Sequence, residues 1–95
     1  MVDIPSLRNE VKVLAEKAVN LDKCEDYDNA LTYYTKAAEK LNYIRKYDEN
    51  QYNKEVYTKK AIEYINRAKE IKAANEKKKL LLKKEEEEKM KNQKN

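Results

Sequence analysis

The sequence predicts an all-α protein, an antiparallel three-helix bundle with a charged C-terminal extension. Its 95 residues include no Gly and one Pro, so the tight turns that join strands into hairpins have almost no support. Apolar residues instead recur every three or four positions in three separate stretches, which is the spacing of amphipathic helices. Because each apolar stripe is narrow, the three helices must bury these stripes against one another.

The first helix is expected to begin near Pro5 and Ser6 and to end around residues 22–25. Proline is favoured in the first turn of a helix, and the Ser6 hydroxyl is a suitable N-terminal cap. The apolar stripe of this helix consists of Leu7, Val11, Leu14, Ala18 and Leu21.

The second helix is expected to run from Asp26, its N-cap, to about Tyr47. Asp28 and Asn29 would then lie in the first turn, where the helix dipole favours acidic groups. The polar residues 48–53 are expected to form a loop. The core stripe of this helix consists of Tyr27, Leu31, Tyr34, Ala38 and Leu41.

The third helix is expected to begin near Lys54. Its core stripe consists of Tyr57, Ala61, Tyr64, Ala68 and Ile71. Since the chain has no Gly, the left-handed residue that often follows a helix is expected to be an Asn. The candidates for that position are Asn20, Asn50 and Asn53.

The chain is predicted to divide into a bundle, residues 1–75, and a Lys/Glu-rich linker or helical extension, residues 76–95. The extension holds 8 Lys and 5 Glu, hence +3 of the net +4, and leaves 14 basic and 13 acidic groups in the bundle. A nucleic-acid footprint needs basic residues clustered on a folded face, so no specific nucleic-acid binding is expected. No stretch is apolar enough to span a membrane or to act as a signal peptide, which predicts a cytoplasmic location.

The composition also argues against catalysis and against a cofactor. Without Gly the chain has no phosphate-binding loop and no dinucleotide fingerprint. Without His, and with Cys24 as its one Cys, it has neither a zinc site of the usual Cys/His type nor an intramolecular disulfide. Its carboxylates are mixed with lysines on solvated faces, and nothing suggests a cleft that would shift the pKa of one member of a pair, as general acid and base catalysis requires. We therefore expect a non-catalytic domain without metal or cofactor. As a self-contained bundle, it is also expected to be a monomer.

The second and third helices carry more apolar side chains than their core stripes require. The surplus predicts an apolar groove between these helices that would accept an amphipathic helix from a partner. Alternatively, the same residues simply widen the buried face of each helix. The residues predicted to line this groove are Tyr33, Ala37, Leu41, Ile44, Thr58, Ile62, Ile65 and Lys69.

A second candidate groove lies between the first and third helices. It is less apolar and would suit an extended peptide, although its residues are equally consistent with a solvated face. The residues predicted to line it are Val13, Lys17, Val56, Lys60 and Arg67.

A set of residues spread over all three helices carries a resemblance to a known family. These residues are Ala18, Asp22-Lys23, Tyr27, Ala30-Leu31, Tyr34, Ala38, Lys46-Tyr47 and Tyr64-Ile65-Asn66-Arg67-Ala68. With them, residues 7–72 resemble the MIT (microtubule-interacting and trafficking) domains, which are three-helix bundles. The stretch is most similar to the MIT domain of the AAA ATPase that disassembles ESCRT-III polymers, whose third helix similarly runs Glu-Tyr-Leu-Asn/Asp-Arg-Ala.

The resemblance implies a peptide-binding adaptor that recruits its parent protein to the C-terminal tails of ESCRT-III subunits at endosomal membranes. In such domains a Leu-rich amphipathic helix binds between helices 2 and 3, and an extended Pro-containing motif binds between helices 1 and 3. Ile65 and Ile62 match apolar positions of the first groove. Asn66 and Lys69 depart from the family, because close relatives have acidic residues there that meet an Arg of the ligand.

A tetratricopeptide-like scaffold fragment is the alternative interpretation, because the stretch from Asp26 to Ala37 also suits a repeat helix. Such a repeat cannot bury its apolar face alone and needs at least about three copies. The chain shows no second copy, so the sequence favours the self-contained bundle.

Overall fold

The computed structural model describes residues 2–92, with side chains described through residue 86. Three α-helices follow one another along the chain: α1 is Ile4–Lys23, α2 is Tyr27–Tyr47 and α3 is Gln51–Asn92. The predicted all-α bundle is confirmed. Met1 of the predicted bundle and residues 93–95 of the predicted extension lie outside the described residues.

The helix α1 begins earlier than predicted because Asp3, not Ser6, is its cap. The Asp3 carboxylate accepts hydrogen bonds from the Ser6 backbone N–H at 3.3 Å and from the Ser6 hydroxyl at 2.7 Å. Pro5 then falls in the first turn, where its missing N–H leaves no helical hydrogen bond unmade. The prediction of Ser6 as the cap was wrong because Asp3, an equally good capping residue, precedes Pro5 at the right distance.

The helix α1 ends in a Schellman motif that is built without glycine. The Asp26 N–H donates to the Leu21 carbonyl at 2.9 Å, and the Glu25 N–H donates to the Asp22 carbonyl at 3.0 Å. Glu25 occupies the left-handed position between them, with φ of 61°. The prediction of Asn at such a position was therefore wrong for this helix end. Glu25 adopts the left-handed conformation although its side chain cannot ease the strain by the local hydrogen bonds that Asn makes.

The connection between α2 and α3 is three residues long, shorter than the predicted loop over residues 48–53. Asn50 caps α3, since its side-chain oxygen accepts from the Asn53 backbone N–H at 3.0 Å. Asp48 in turn accepts from the Asn50 N–H at 3.0 Å. These two side chains allow α3 to begin at Gln51.

Two apolar clusters form the core, and Tyr64 packs against both. Small residues allow the helices to approach closely at the second cluster, where Ala18, Ala30 and Ala68 are 0%, 0% and 6% exposed. The first cluster consists of Val11, Ala38, Leu41, Ile44, Tyr57 and Ala61. The second consists of Ala18, Ala30, Tyr34, Ala68 and Ile71.

The core extends no further along α3 than Ile71. A last tie to the bundle is the hydrogen bond from the Asn75 side-chain amide to Asp28 at 3.2 Å. The side chains of residues 76–86 are all exposed, including Leu80, Leu81 and Leu82. The helix itself continues to Asn92.

The central helix α2 packs against both of its neighbours, whereas α1 and α3 stay apart. Among the described residues, no Cα atom of α1 lies within 8 Å of a Cα atom of α3. The core side chains of α1 and α3 are therefore brought together mainly by their packing on α2. This arrangement leaves a surface depression between α1 and α3.

Replacing Glu25 by Gly is expected to stabilise the bundle by about 1 kcal/mol, because Gly adopts the left-handed conformation without the steric cost of a Cβ. The free energy of unfolding from urea denaturation, followed by circular dichroism, measures this gain.

Glu25→Ala is the matched control, since it removes the same carboxylate and keeps the Cβ. An equal gain in both variants would show that the charge, and not the backbone conformation, limits stability at this turn.

Candidate functional site

The groove between α1 and α3, hereafter the α1/α3 groove, has a volume of about 900 Å³. Leu41 and Ile44 of α2 form its floor. The α1 wall follows two neighbouring rows of the helix, each in steps of four residues, and the α3 wall carries one aliphatic residue and three tyrosine rings. The apolar wall residues are Val11, Ala15, Val19, Val56, Tyr57 and Tyr64.

The charged residues of the α1/α3 groove are mostly cationic. Arg8, Lys12 and Lys60 line it together with one acidic residue, Glu16. Tyr52 also lines the groove and is 73% exposed. A ligand that complements this surface has apolar side chains for the floor and acidic groups for the rim.

A hydrogen-bonded group, here called the N-terminal clamp (Arg8, Asp48 and Tyr57), joins α1 to the start of α3. Arg8 donates to the Tyr57 hydroxyl at 2.7 Å and to Asp48 at 3.1 Å, and the Tyr57 hydroxyl donates to Asp48 at 2.7 Å. The pKa of the Asp48 carboxyl is lowered to about 2, chiefly because the Tyr57 hydroxyl donates a hydrogen bond to it. Asn50, Arg8 and Asn53 donate further hydrogen bonds that act in the same direction. The carboxylate thus stays ionised although the residue is buried.

A second group of the same residue types, the C-terminal clamp (Asp22, Tyr34 and Arg67), joins the end of α1 to the middle of α3. The Arg67 guanidinium donates to both oxygens of Asp22 at 2.7 Å, and the Tyr34 hydroxyl donates to Asp22 at 2.9 Å. The hydrogen bonds from Arg67 lower the pKa of Asp22. Burial, followed by the bond to Asp22, raises the pKa of Tyr34 to about 12.

The opposite face of α3 forms a second candidate surface with α2, hereafter the α2/α3 surface. Ile62 is 54% exposed there, whereas Ile65 is half-buried against the first core cluster. Thr58 is half-buried and accepts a hydrogen bond from Arg45 of α2 at 3.3 Å, and Lys69 is exposed.

A cavity of about 350 Å³ lies beside the bond between Arg45 and Thr58. Arg45, Lys54 and Lys59 line it together with Glu55, so this end of the α2/α3 surface is cationic.

The structure turns α2 differently from the prediction for this surface. Tyr33 lies on the α1 side of α2, where the Lys17 ammonium is 4.6 Å from the centre of its ring. Ala37 and Ile44 are fully buried, and Leu41 belongs to the floor of the α1/α3 groove. Asp28 and Arg45 of α2 both form hydrogen bonds with α3. At 100° per residue, four other side chains of α2 point between the directions of these two and therefore face α3. These are Leu31, Thr35, Ala38 and Asn42, of which Ala38 is buried.

The predicted set for the α1/α3 groove is partly assembled. Val56 and Lys60 line the groove, whereas Arg67 lies in the C-terminal clamp. Val13 is 55% exposed and lies outside the lining, as does Lys17, which packs on Tyr33. The α1 wall that the prediction missed has a sequence signal, because Val11, Ala15 and Val19 are apolar in steps of four.

A comparison with protein families agrees with the three-helix fold. The model of the MIT (microtubule interacting and transport) domain matches residues 12–73. The chain belongs to the MIT family. MIT domains are non-catalytic modules for protein interaction, and this membership replaces the tetratricopeptide-like alternative.

The match covers most of the bundle, including both walls of the α1/α3 groove from Lys12 onward. Within the described part of this MIT domain, no helix is both long and apolar enough to cross a membrane. The same part of the chain contains no group of three or more Cys, Asp or Glu side chains arranged to hold a metal ion.

Acid is expected to destabilise the domain through Asp48. The folded-state pKa of about 2 lies below the ordinary 3.8, so the stabilisation is present above the ordinary value and is lost as the pH falls from about 5 to about 2. In Asp48→Asn the free energy of unfolding should start lower at pH 7 and depend less steeply on pH over that range. Urea denaturation at several pH values measures both effects.

Glu49→Gln, at the exposed neighbouring position, is the control and should follow the wild-type curve. A pH dependence of Asp48→Asn as steep as that of the wild type would assign the acid sensitivity to other carboxylates.

Proposed function

We propose that this MIT domain recruits its parent protein, an AAA ATPase, to the C-terminal tails of ESCRT-III subunits. The recruitment would bring a cytoplasmic protein to endosomal membranes for sorting and membrane remodelling. The open α1/α3 groove, with its apolar floor, carries the proposal. Family membership supports it, since an MIT domain is a protein-interaction module.

The dimensions of the groove favour an extended peptide. From Arg8 to Asn20, α1 rises about 18 Å at 1.5 Å per residue. A peptide of about six residues spans that length at 3.3 Å per residue. Proline in the peptide would reduce the conformational entropy lost on binding, because it already favours the extended form.

The α2/α3 surface is proposed as a second site, for a Leu-rich amphipathic helix. Exposed Ile62 and half-buried Ile65 supply its apolar contact. Lys69, and the cationic cavity beside Arg45, favour acidic rather than basic groups at the ends of the bound helix. This preference agrees with the departure of Asn66 and Lys69 from the family pattern.

Residues 76–95 are proposed to connect the bundle, residues 1–75, to the catalytic part of the parent protein. The isolated domain is expected to bind one tail weakly, with a Kd of about tens of micromolar. This Kd corresponds to a binding free energy of about 6–7 kcal/mol in magnitude. A multimeric parent would compensate, because several linked domains bind a polymer of tails with high avidity.

Val19→Asp is expected to weaken binding of an extended, Pro-containing tail peptide by at least about tenfold, because it places a desolvated charge in an apolar wall. Fluorescence anisotropy with a labelled peptide measures Kd. Val19 is 37% exposed, so the fold should survive, as circular dichroism would verify.

Val13→Asp is the matched control, a second exposed valine of α1 that lies outside the groove. Its Kd should stay near the wild-type value. Weaker binding in Val13→Asp alone would place the site on the other side of α1. Equal binding by the wild type, Val19→Asp and Val13→Asp would refute the α1/α3 groove as the binding site.

Ile62→Asp and Ile65→Asp are expected to abolish binding of a Leu-rich helical tail peptide, while the extended peptide keeps its wild-type Kd. Ile62→Asp tests this more cleanly, since Ile65 also contacts the core. Both variants should remain helical by circular dichroism. Collapse of Ile65→Asp together with normal binding by Ile62→Asp would assign Ile65 to the core and would exclude this surface.

A further inference from the structure

The hydrogen bonds of Arg67 are made within the protein, to Asp22 of α1 and to Glu70 of α3. Its Nε and Nη2 atoms each donate to one oxygen of Asp22 at 2.7 Å, and Nη1 donates to Glu70 at 3.0 Å. The planar fork of the guanidinium is therefore engaged on both sides by carboxylates. A ligand carboxylate would have to compete with Asp22, which is itself fixed by the Tyr34 hydroxyl at 2.9 Å.

The C-terminal clamp lies next to the groove without lining it. Asp22, Tyr34 and Arg67 are all absent from the groove walls and floor, which reach Asn20 on α1 and Tyr64 on α3. The N-terminal clamp differs in this respect, because Arg8 and Tyr57 are groove residues. The two clamps thus stand at opposite ends of the groove, about 21 Å apart along α1.

The C-terminal clamp connects α1 to α3, two helices that otherwise pack on α2. Since no Cα atom of α1 lies within 8 Å of α3 among the described residues, backbone packing does not fix their spacing. The bidentate bond is able to do so, because two parallel N–H···O bonds define both a distance and an angle. The side chain of Asp22 is 15% exposed, so solvent screens the pair only partly.

We propose that Asp22 and Arg67 are positioning residues, which hold α1 and α3 at the spacing that the extended ligand requires and so set its affinity without touching it. The effect on affinity rests on the proposed function of the α1/α3 groove. The effect on spacing is a property of the free protein. The proposal changes the role of Arg67, which the sequence predicts as a direct peptide contact.

The two roles of Arg67 predict opposite results for Asp22→Asn. If Arg67 contacts the ligand, loss of the Asp22 charge frees the guanidinium, and binding is unchanged or tighter. If Arg67 positions α1, the weakened bond loosens the groove, and binding is weaker. The substitution is nearly isosteric, and the amide oxygen can still accept from Tyr34 and Arg67.

The experiment compares Asp22→Asn and Arg67→Lys with Glu70→Gln and the wild type. Arg67→Lys keeps the positive charge and removes the planar fork. Glu70→Gln is the matched control, because it changes the other carboxylate partner of Arg67, which is on α3 itself. Spin labels on the native, exposed Cys24 and on a second site introduced by Glu63→Cys report the spacing of α1 and α3 in the absence of ligand. Fluorescence anisotropy gives Kd for an extended Pro-containing peptide and for a helical Leu-rich peptide.

In Asp22→Asn and Arg67→Lys the label-to-label distance distribution should broaden and shift to longer distances. The Kd of the extended peptide should rise about tenfold, while the Kd of the helical peptide stays within about twofold. Glu70→Gln should match the wild type in both measurements. Loss of binding to both peptides together would instead indicate general unfolding and would contradict the proposal.

Unchanged distances in Asp22→Asn and Arg67→Lys would overturn the positioning role, as would tighter binding of the extended peptide by Asp22→Asn. If the wild type binds neither peptide, the proposed function fails, and the distance measurement on the free protein still decides whether the clamp sets the helix spacing.

Discussion

The spacing of α1 and α3 depends on the bond between Arg67 and Asp22 and on its counterpart between Arg8 and Asp48. The three helices share their apolar faces through α2, and small residues such as Ala18 and Ala30 bring α1 and α2 close together. The outer helices are not packed backbone to backbone, so charged hydrogen bonds at the two ends fix their relation. An apolar surface remains open between these ends.

This arrangement resolves a conflict between stability and binding. A closed bundle would bury Val19 and Val56 and gain stability, but it would have no surface for a partner. Here both valines remain accessible beside a floor of buried side chains, Leu41 and Ile44. Each clamp aspartate is satisfied by an Arg and a Tyr, and among the described residues every buried side-chain nitrogen or oxygen has a hydrogen-bond partner. The cost of burying charge is thus offset by complete hydrogen bonding.

The sequence predicts the fold well because helix periodicity is a local property. The core stripe of α3 and the end of α2 at Tyr47 follow directly from spacing. The predicted stripes of α1 and α2 were incomplete, because they left out the buried residues Ala15, Ala30, Ala37 and Ile44. Helix starts were harder, since Asp3 and Ser6 are both good caps and only the geometry selects Asp3. The site was harder still, because α2 has neighbours on two sides. An apolar arc then cannot show whether Tyr33 faces α1 or α3, and a rotation of less than half a turn decides between them.

An amide chemical-shift titration of the isotope-labelled protein with an extended, Pro-containing ESCRT-III tail peptide tests the central claim most directly. The account predicts shifts that cluster on both walls of the α1/α3 groove, at Ala15, Val19, Val56 and Lys60, and small changes at Val13. Shifts that cluster on Val13, Lys17 and Tyr33 would contradict it, because they would place the ligand on the far side of α1. The absence of shifts at millimolar peptide would contradict the proposed binding function itself.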